Sequence, residues 1–314
     1  MKKRAKIILL ALLFASVFFT SALITVHLTG SAPNRLLEVD YSGQVYRDLR
    51  YENEYGHCYD LYLPEDTAGD RSQYLILFIH GGSFNSGAKE DGEAWCRYYA
   101  KQGYVAVTLD YSLQTVHEDA TLHRMNGEIG SCVPAIKEKC AELGISLEGM
   151  ATCGVSAGGT LAMNYAYTAA ESSSVPVKFV FQLAGPTDFA PAAWTLLKKV
   201  NGLETDGEFL KMMTGQDFSE TDIASGRHSG AVEAISPAGL VGDSSVPTLC
   251  GYGLRDHVVP PSQKKLLLAA LNAHGIPYDY LEFPNSNHGL YADLDILRQF
   301  LDLTLIYCDR YFQG

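Results

Sequence analysis

The sequence predicts an α/β fold in which a mostly parallel central sheet is covered by helices on both faces. Continuous apolar runs such as Tyr74–Ile79 are typical of strands that are buried on both sides. Segments with a helical spacing of apolar residues, such as Ser262–Ala273, alternate with these runs along the chain. The sequence shows no internal repeat and no low-complexity tract. Together these observations favour an α/β domain.

The individual elements follow from the same patterns, taken in chain order. One predicted helix carries Pro134, which we place near the helix start because a helix tolerates proline best there. The segments expected to form strands are Tyr59–Leu63, Tyr74–Ile79, Tyr104–Leu109, Met150–Cys153, Lys178–Leu183, the run that begins at Pro247, and Pro277–Phe283. The segments expected to form helices are Gly92–Gln102, Ile129–Leu143, Thr160–Ala170, Ser262–Ala273 and Asp293–Tyr307.

Ser156 lies in the motif G-V-S-A-G at positions 154–158, between a predicted strand and an Ala-rich predicted helix. A sharp turn from strand to helix pushes the serine hydroxyl out of the sheet and requires small residues on both sides. The N-terminus of the following helix also favours negative charge nearby. Ser156 is therefore a candidate nucleophile. The alternative interpretation is a Gly-rich helix start without chemistry, because so short a motif is weak by itself.

A second motif, H-G-G-S at positions 80–83, follows the predicted central strand. A Gly-Gly-Ser turn aims successive backbone N–H groups into one small volume. Such donors stabilise the negative oxygen that forms during ester hydrolysis, and one donor contributes about 3 kcal/mol. We assign these donors to Gly82 and Ser83, together with the N–H group of Ala157. The alternative interpretation is an ordinary turn at the end of a strand.

Asp256 and His288 are the expected partners of Ser156. A serine hydroxyl is a poor nucleophile until an imidazole accepts its proton, and a carboxylate holds that imidazole in the required tautomer. Asp256 follows the strand that begins at Pro247, and His288 lies in a polar loop after Pro277–Phe283. The order serine, aspartate, histidine, with each residue just past a strand, is typical of α/β-hydrolases.

Other histidines and aspartates compete for these roles. His257 is adjacent to Asp256 and does not easily turn back onto that carboxylate. His274 stands at a predicted helix end, where a histidine often caps the last carbonyl groups. Asp110 comes too early in the chain order, which favours a structural role. Asp188 is the strongest alternative acid, and Asp256 remains the preferred assignment.

With these motifs, the chain resembles the α/β-hydrolase superfamily and, within it, the acetyl esterase/lipase group with an HGG oxyanion motif. That group includes hormone-sensitive-lipase-like esterases, feruloyl-esterase-like carboxylesterases and kynurenine formamidases. The resemblance covers about residues 50–310. Val155 replaces the acidic residue that usually precedes the nucleophile in hormone-sensitive-lipase-like members, and Ser83 replaces their third loop glycine. Both departures favour the broader carboxylesterase group.

The resemblance implies a serine carboxylesterase that acts through an acyl-enzyme on Ser156. The expected substrates are esters of small acyl groups, acetyl esters included, carried by a small molecule or a glycan. The same three residues also serve amide hydrolysis, so a formamidase or a peptidase-like enzyme is an alternative. A catalytically silent binding module at the cell surface, or a ligand receptor that keeps the residues as a vestige, is a second alternative from a different class.

The segment 186–243 does not fit the simple alternation of strands and helices. It contains large apolar residues, Trp194, Leu197, Leu210 and Met213 among them, mixed with turn residues. We interpret it as a small cap inserted into a catalytic domain that spans residues 33–314, with apolar side chains that cover the acyl pocket. The alternative is a surface excursion with its own small apolar cluster.

The N-terminal segment 1–32 predicts export. Four basic residues precede Ile7–Val26, a run of 20 uncharged and mostly apolar residues. That length is sufficient to span a bilayer and exceeds a typical signal-peptide core. Gly30-Ser31-Ala32 also offers a small-residue pattern for a signal peptidase. The basic flank is expected to stay in the cytoplasm, so the domain faces outward, either membrane-anchored or secreted.

Charge and composition narrow the expected partners. The chain has a net charge of −12, which becomes −16 without the four basic residues of positions 1–30. Such an acidic surface argues against nucleic acid or an anionic polymer as the partner. No metal-ligand spacing is present, so we expect neither a metal nor a cofactor. Any membrane contact is expected through the N-terminal segment, if it is not cleaved.

The seven cysteines do not predict a disulfide framework. An odd number leaves at least one cysteine unpaired within the chain, or paired between chains. Cys153 and Cys250 fall in predicted core strands, where cysteine acts as a small apolar residue. Cys132 and Cys140 are eight positions apart on one predicted helix, about 12 Å along its axis, which is too far for a disulfide.

Overall fold

The computed structural model describes residues 36–65 and 72–312, so the predicted N-terminal segment 1–32 lies outside the described residues. The described chain forms an eight-stranded sheet with the strand order β1-β2-β4-β3-β5-β6-β7-β8. Strands β3 to β8 pair in parallel, and β2 is antiparallel to both β1 and β4. The strands are β1 (Val45–Arg50), β2 (Cys58–Tyr62), β3 (Ser72–Ile79), β4 (Val105–Leu109), β5 (Ser146–Val155), β6 (Val177–Leu183), β7 (Thr248–Gly253) and β8 (Tyr278–Phe283).

Ten α-helices accompany the sheet in the described residues, with short 3₁₀ helices at Lys89–Gly92 and Pro191–Trp194. The helices are α1 (Glu93–Lys101), α2 (Leu122–Glu142), α3 (Ala157–Ala169), α4 (Thr195–Val200), α5 (Asp206–Thr214), α6 (Glu220–Ala224), α7 (Ser229–Glu233), α8 (Pro237–Leu240), α9 (Ser262–Ala273) and α10 (Leu294–Phe312). The predicted α/β class with a mostly parallel sheet and helices on both faces is confirmed.

The core lies on both faces of the sheet, because alternate residues of the central strands point to opposite sides. In β3, Leu75 and Leu77 belong to the apolar cluster that packs against α2, α3 and α9. Ile76 and Phe78, their neighbours in sequence, belong to the cluster that packs against α1 and α10. The continuous apolar run in β3 is therefore explained by burial on two sides.

Helix α2 begins earlier than the sequence analysis predicts. It starts at Leu122, and the Thr121 side chain accepts a hydrogen bond from the N–H group of Arg124 as its N-cap. Pro134 therefore lies in the helix interior, so its predicted place near the helix start is wrong. A proline there removes one backbone hydrogen bond. The buried apolar face of α2, which includes Ile129, Val133 and Ile136, stabilises the helix across this point.

The predicted cap segment consists of short helices joined by loops. Helices α4 to α8 lie between β6 and β7, and Trp194, Phe209 and Met213 are buried in the main core. Its division from the rest of the domain stays a prediction. Within residues 36–65 and 72–312, no helix is long and apolar enough to cross a bilayer. All seven cysteines are free, and Cys132 and Cys140 are buried on α2.

A buried cation secures the first strands, and its removal is expected to destabilise the fold. Lys89 is 4% exposed, and its Nζ atom lies 3.0 Å from both Asp48 Oδ1 and Asp60 Oδ1. Asp60 is fully buried and has one further cationic partner, Arg47, at 3.0 Å. We expect Lys89→Met to lower the free energy of unfolding by about 3 kcal/mol, because it leaves a buried carboxylate undercompensated. Urea unfolding measures this change. An equal change in Lys139→Met, which removes a surface ion pair, would contradict the explanation.

Candidate active site

Ser156 lies between β5 and α3 in a strained backbone conformation. Its φ is 56° and its ψ is −125°, a region that residues with a side chain rarely adopt. The Ser156 N–H group donates to the carbonyl of Leu183 on β6 at 2.8 Å, which holds the turn against the sheet. The structure thus places the candidate nucleophile at a tight strand-to-helix turn, as the sequence motif predicts.

The glycines on both sides of Ser156 are required by close backbone contacts. A Cβ atom on Gly158 would lie 2.0 Å from the Ile79 carbonyl oxygen at the end of β3. A Cβ atom on Gly154 would lie 2.4 Å from the carbonyl carbon of Gly158. Helix α3 therefore starts in direct contact with the β3 end, where any larger side chain clashes.

His288 connects Ser156 to Asp256. The His288 Nε2 atom lies 2.9 Å from Ser156 Oγ, and its Nδ1 atom lies 2.8 Å from Asp256 Oδ2. Asp256 follows β7 and His288 follows β8, so two neighbouring parallel strands bring their loops to the same edge of the sheet. This geometry allows proton transfer from the serine to the imidazole, with the carboxylate on the opposite ring nitrogen.

Asp256 is held in one orientation. It is 3% exposed, and its Oδ1 atom accepts hydrogen bonds from the N–H groups of Val258 at 2.8 Å and Val259 at 2.9 Å. The other oxygen is therefore free to face His288.

The three predicted oxyanion donors surround Ser156. Gly82 and Ser83 line one cavity at Ser156, and Ser83 and Ala157 line a second one. Gly82 has a φ of 112° and Ser83 a φ of 56°, so the loop bends sharply here. In the described part of the chain, the N–H groups of Gly82, Ser83 and Ala157 donate to no protein acceptor. They are free to bind a negative oxygen.

His80 and Tyr111 fix the loop that carries these donors. Their rings stack with centroids 4.2 Å apart, and the Tyr111 hydroxyl donates to the His80 carbonyl at 2.8 Å. His80 is 1% exposed, and this burial lowers the pKa of its imidazole below the ordinary value. The sequence analysis missed Tyr111, although an aromatic residue two positions after the end of β4 is a weak signal of a role at this edge.

Protonation of buried His80 is expected to make stability depend on pH. Because the folded pKa is lowered, neutral His80 contributes stability that is fully present above about pH 6.5. That stability falls at lower pH, since the unfolded chain binds the proton first. We expect His80→Asn to flatten the slope of unfolding free energy between pH 6.5 and 5, by up to about 1.4 kcal/mol per pH unit. Urea titrations measure the slope. An unchanged slope, or the same flattening in His257→Asn at an exposed position, would contradict the assignment.

The competing residues have other partners. Asp110 Oδ1 accepts from the Lys89 N–H group at 2.8 Å. The Asp188 carboxylate accepts from the Ala190 N–H group, and burial raises its pKa. His274 pairs through Nδ1 with Asp243 at 2.7 Å, so its ring does not cap the carbonyls of α9 as expected. None of these side chains contacts Ser156 or His288 in the described structure.

Asp293, which the sequence analysis did not single out, braces the His288 loop. Its carboxylate accepts hydrogen bonds from Asn285 N at 2.9 Å and from Ser286 Oγ at 2.6 Å. The Ser286 carbonyl in turn accepts from Arg255 N at 3.0 Å, one residue before Asp256. Burial opposes ionisation of Asp293, but the hydrogen bonds from Ser286 and Asn285 lower its pKa overall. Asp293 therefore joins the two loops that carry His288 and Asp256.

Loss of the Asp293 carboxylate is expected to lower kcat, although Asp293 is not one of the groups proposed to react. In Asp293→Asn, an NH₂ group replaces a carboxylate oxygen that accepts a hydrogen bond from Asn285 N or Ser286 Oγ. We therefore expect kcat to fall by about 10-fold, because His288 is misplaced. Steady-state kinetics with p-nitrophenyl acetate measure the effect. Asp295→Asn, at a side chain that is 98% exposed, is the matched control and is expected to leave kcat unchanged. An equal loss in both variants would contradict the role.

Two cavities meet at Ser156. The larger cavity has a volume of about 640 Å³, and its lining includes Trp95, Phe78 and His288. The smaller cavity has a volume of about 240 Å³, and its lining includes Trp194 and Leu197 from the predicted cap segment. No cluster of three or more His, Cys, Asp or Glu side chains in residues 36–65 and 72–312 has a geometry that could hold a metal ion.

Solved esterase structures share this fold. A truncated form of a carbohydrate esterase from gut microbiota is 18% identical, with 87% of this chain and 97% of that chain covered and a TM-score of 0.67. Esterase B from Lactobacillus rhamnosis HN001 is 18% identical, with 94% and 98% covered and a TM-score of 0.66. The native esterase Est2 from the Planctomycetes species Thermogutta terrifontis is 20% identical, with 85% and 91% covered and a TM-score of 0.63. At these identities the likeness establishes the fold.

Sequence comparison supplies the family. No curated protein matches the chain. The BD-FAE family model matches residues 59–271, a span that includes Ser156 and Asp256 and ends before His288. This match covers more than half of the chain, and the fold agrees with that of the solved esterases. The chain therefore belongs to the BD-FAE family, a group of α/β-hydrolase-type esterases.

Proposed function

We propose that this protein hydrolyses carboxylic esters through an acyl-enzyme on Ser156. The observation that carries the proposal is the continuous hydrogen-bonded line from Ser156 Oγ through His288 to Asp256, with distances of 2.9 and 2.8 Å. In this assignment Ser156 is the nucleophile, His288 transfers the proton, and Asp256 orients His288. The strained conformation of Ser156 and the free N–H groups of the neighbouring loop support the same roles.

The proposed reaction has two steps, acylation of Ser156 and hydrolysis of the acyl-enzyme. Ser156 Oγ bonds to the carbonyl carbon and its proton passes to His288 Nε2, which then protonates the departing alcohol oxygen. Water next attacks the acyl-enzyme, gives its proton to His288, and releases the acid as Ser156 regains its hydrogen. In both steps, the N–H groups of Gly82, Ser83 and Ala157 stabilise the negative oxygen, each by about 3 kcal/mol.

We further propose that the preferred esters carry a short acyl group, acetyl esters included. The smaller cavity at Ser156 has a volume of about 240 Å³, which is below the range of about 300–1,000 Å³ for drug-sized ligands. The related Thermogutta terrifontis esterase has structures with propionate and with butyrate bound. The proposal includes esters carried by a glycan, since another structural neighbour is a carbohydrate esterase.

The proposed location is outside the cytoplasm. The basic flank at positions 2–6 and the apolar run Ile7–Val26 support export, with the domain either anchored or released. The proposed partners are therefore the ester substrate and, if the segment is retained, the membrane.

Covalent labelling tests the proposed nucleophile. The full chain in detergent is treated with a fluorophosphonate, and the labelled peptide is identified by mass spectrometry. We expect one label on Ser156, none in Ser156→Ala, and normal labelling in Ser172→Ala, at an exposed serine in the turn after α3. The absence of both labelling and p-nitrophenyl acetate turnover would reject the enzyme and favour the binding module.

A further inference from the structure

The two cavities at Ser156 differ in size and in their neighbours. Ser156 borders both of them, so an ester whose carbonyl carbon reaches Ser156 Oγ extends in two directions. His288 lines the larger cavity but not the smaller one. Building on the function proposed above, we propose that the smaller cavity receives the acyl group and the larger cavity receives a bulky alcohol without a negative charge.

The path of the proton sets this direction. During acylation the bond between the carbonyl carbon and the alcohol oxygen breaks, and that oxygen takes its proton from His288 Nε2. The departing oxygen must therefore lie on the His288 side of Ser156, which is the side of the larger cavity. The acyl group then points into the smaller cavity, next to the Ala157 N–H group.

Trp194 closes the smaller cavity as a fixed wall. Its indole is 3% exposed, its Nε1–H group donates to the Asp188 carbonyl at 2.8 Å, and its ring stacks on Phe189 at 5.6 Å. Phe189 in turn contacts Phe84, another lining residue, edge to face at 5.8 Å. A wall that is packed and hydrogen-bonded in this way does not yield easily to a longer chain. Trp194 and its neighbour Leu197 therefore set the acyl length.

The larger cavity suits the bigger half of the ester. Its volume of about 640 Å³ lies within the range for drug-sized ligands. Trp95 and Phe78 stack at 5.4 Å on its wall and offer an apolar aromatic surface. Among the described lining residues, Asp91 is the one acidic or basic side chain besides His288. An anionic alcohol would meet Asp91 without a cation to pair with, so alcohols without a negative charge are favoured.

Two series of esters test the acyl group and the alcohol separately. The first keeps cyclohexylmethanol as the alcohol and varies the acyl group from acetate through butyrate to octanoate. The second keeps acetate and compares ethanol, cyclohexylmethanol and a carboxylated cyclohexylmethanol, which are alkyl alcohols of similar leaving ability. In the wild type we expect kcat/KM to fall by about 100-fold from acetate to octanoate. We also expect it to be higher for cyclohexylmethyl acetate than for the ethyl or the carboxylated ester.

Variants of the lining residues test which cavity determines the selectivity for the acyl group and which determines the selectivity for the alcohol. Trp194→Ala, and the milder Leu197→Ala, are expected to raise kcat/KM for the octanoate ester by about 10-fold. Trp95→Ala is expected to lower kcat/KM for cyclohexylmethyl acetate by about 10-fold more than for ethyl acetate. Asp91→Asn, at an exposed position, is expected to improve the carboxylated ester specifically. Deacylation occurs after the alcohol has left, so its rate is expected to change in Trp194→Ala but not in Trp95→Ala.

The opposite pattern overturns the assignment. If Trp95→Ala relieves the limit on acyl length or changes deacylation, the two cavities have exchanged roles. If no variant shifts either selectivity, the cavities do not divide the ester. A loss of turnover below about 10-fold in Ser156→Ala is a separate result, because it rejects the proposed nucleophile and the division of the ester with it.

Discussion

Ser156→Ala is expected to lower kcat for p-nitrophenyl acetate by about 10⁶-fold. The variant lacks Ser156 Oγ, which lies 2.9 Å from His288 Nε2 and forms the acyl bond in the proposed mechanism. Its fold is expected to be intact, because alanine keeps the Cβ atom and removes only the hydroxyl. The strained backbone at this position is held by the hydrogen bond from Ser156 N to Leu183 and by the packing of Gly158 on β3, and both remain.

A double variant makes this prediction specific to a catalytic unit. Since Ser156 and His288 act in the same proton transfer, Ser156→Ala/His288→Ala is expected to be about as slow as Ser156→Ala alone. Residual turnover above the uncatalysed rate, by about 10³- to 10⁴-fold, would come from the oxyanion donors and substrate binding. Ser172→Ala, at an exposed serine that lines neither cavity, is the control and is expected to keep kcat. If the losses of kcat in the two single variants add in the double variant, Ser156 and His288 do not act in one proton transfer. A loss of kcat below about 10-fold in Ser156→Ala would also contradict the prediction.

The residues that we propose to react can be found from the sequence because each carries a local signal. Ser156 sits in a five-residue motif whose glycines are required, because a Cβ atom on Gly158 or Gly154 would lie only 2.0 or 2.4 Å from a backbone atom. Asp256 and His288 each follow an apolar strand, and parallel strands deliver their loops to one edge of the sheet. Fold class and chain order were therefore sufficient to group three residues that are far apart in sequence.

Elements without such a signal were missed. Strand β1 (Val45–Arg50) lies at the sheet edge with much of its surface exposed, so its sequence lacks an apolar run. The first turns of α2 contain His123, Arg124 and Asn126, which hide the helical spacing that begins at Leu122. In both cases tertiary contacts, rather than local composition, select the structure.

The residues that hold the His288 loop and the loop with the oxyanion donors were missed for a different reason. Asp293 acts through Ser286, and Tyr111 acts through His80, a residue 31 positions away. Such roles depend on distances between loops, which composition and periodicity do not specify. The sizes of the two cavities are likewise fixed by side chains from separate elements, such as Trp95 on α1 and Trp194 before α4.

Asp256→Asn is expected to lower kcat by about 10⁴-fold while the fold stays intact. The physical reason lies in the hydrogen bonds of Oδ1, the carboxylate oxygen of Asp256 that does not face His288. Asp256 Oδ1 accepts from the N–H groups of Val258 and Val259, so an asparagine keeps its carbonyl oxygen at that position. Its amide NH₂ group must then face His288 Nδ1, which lies 2.8 Å from the other oxygen in the native protein.

An NH₂ group at that position reverses the tautomer of His288. The Nδ1 atom has to accept a hydrogen bond, so the ring proton moves to Nε2, and Nε2 no longer accepts the proton of Ser156. We therefore expect the loss to appear in kcat, with an unchanged thermal midpoint and slow fluorophosphonate labelling of Ser156. Asp188→Asn is the matched control, because Asp188 is the strongest competing acid and contacts neither Ser156 nor His288. A larger loss in Asp188→Asn than in Asp256→Asn would transfer the role to Asp188, whereas a loss of kcat with a lowered midpoint would indicate a structural effect.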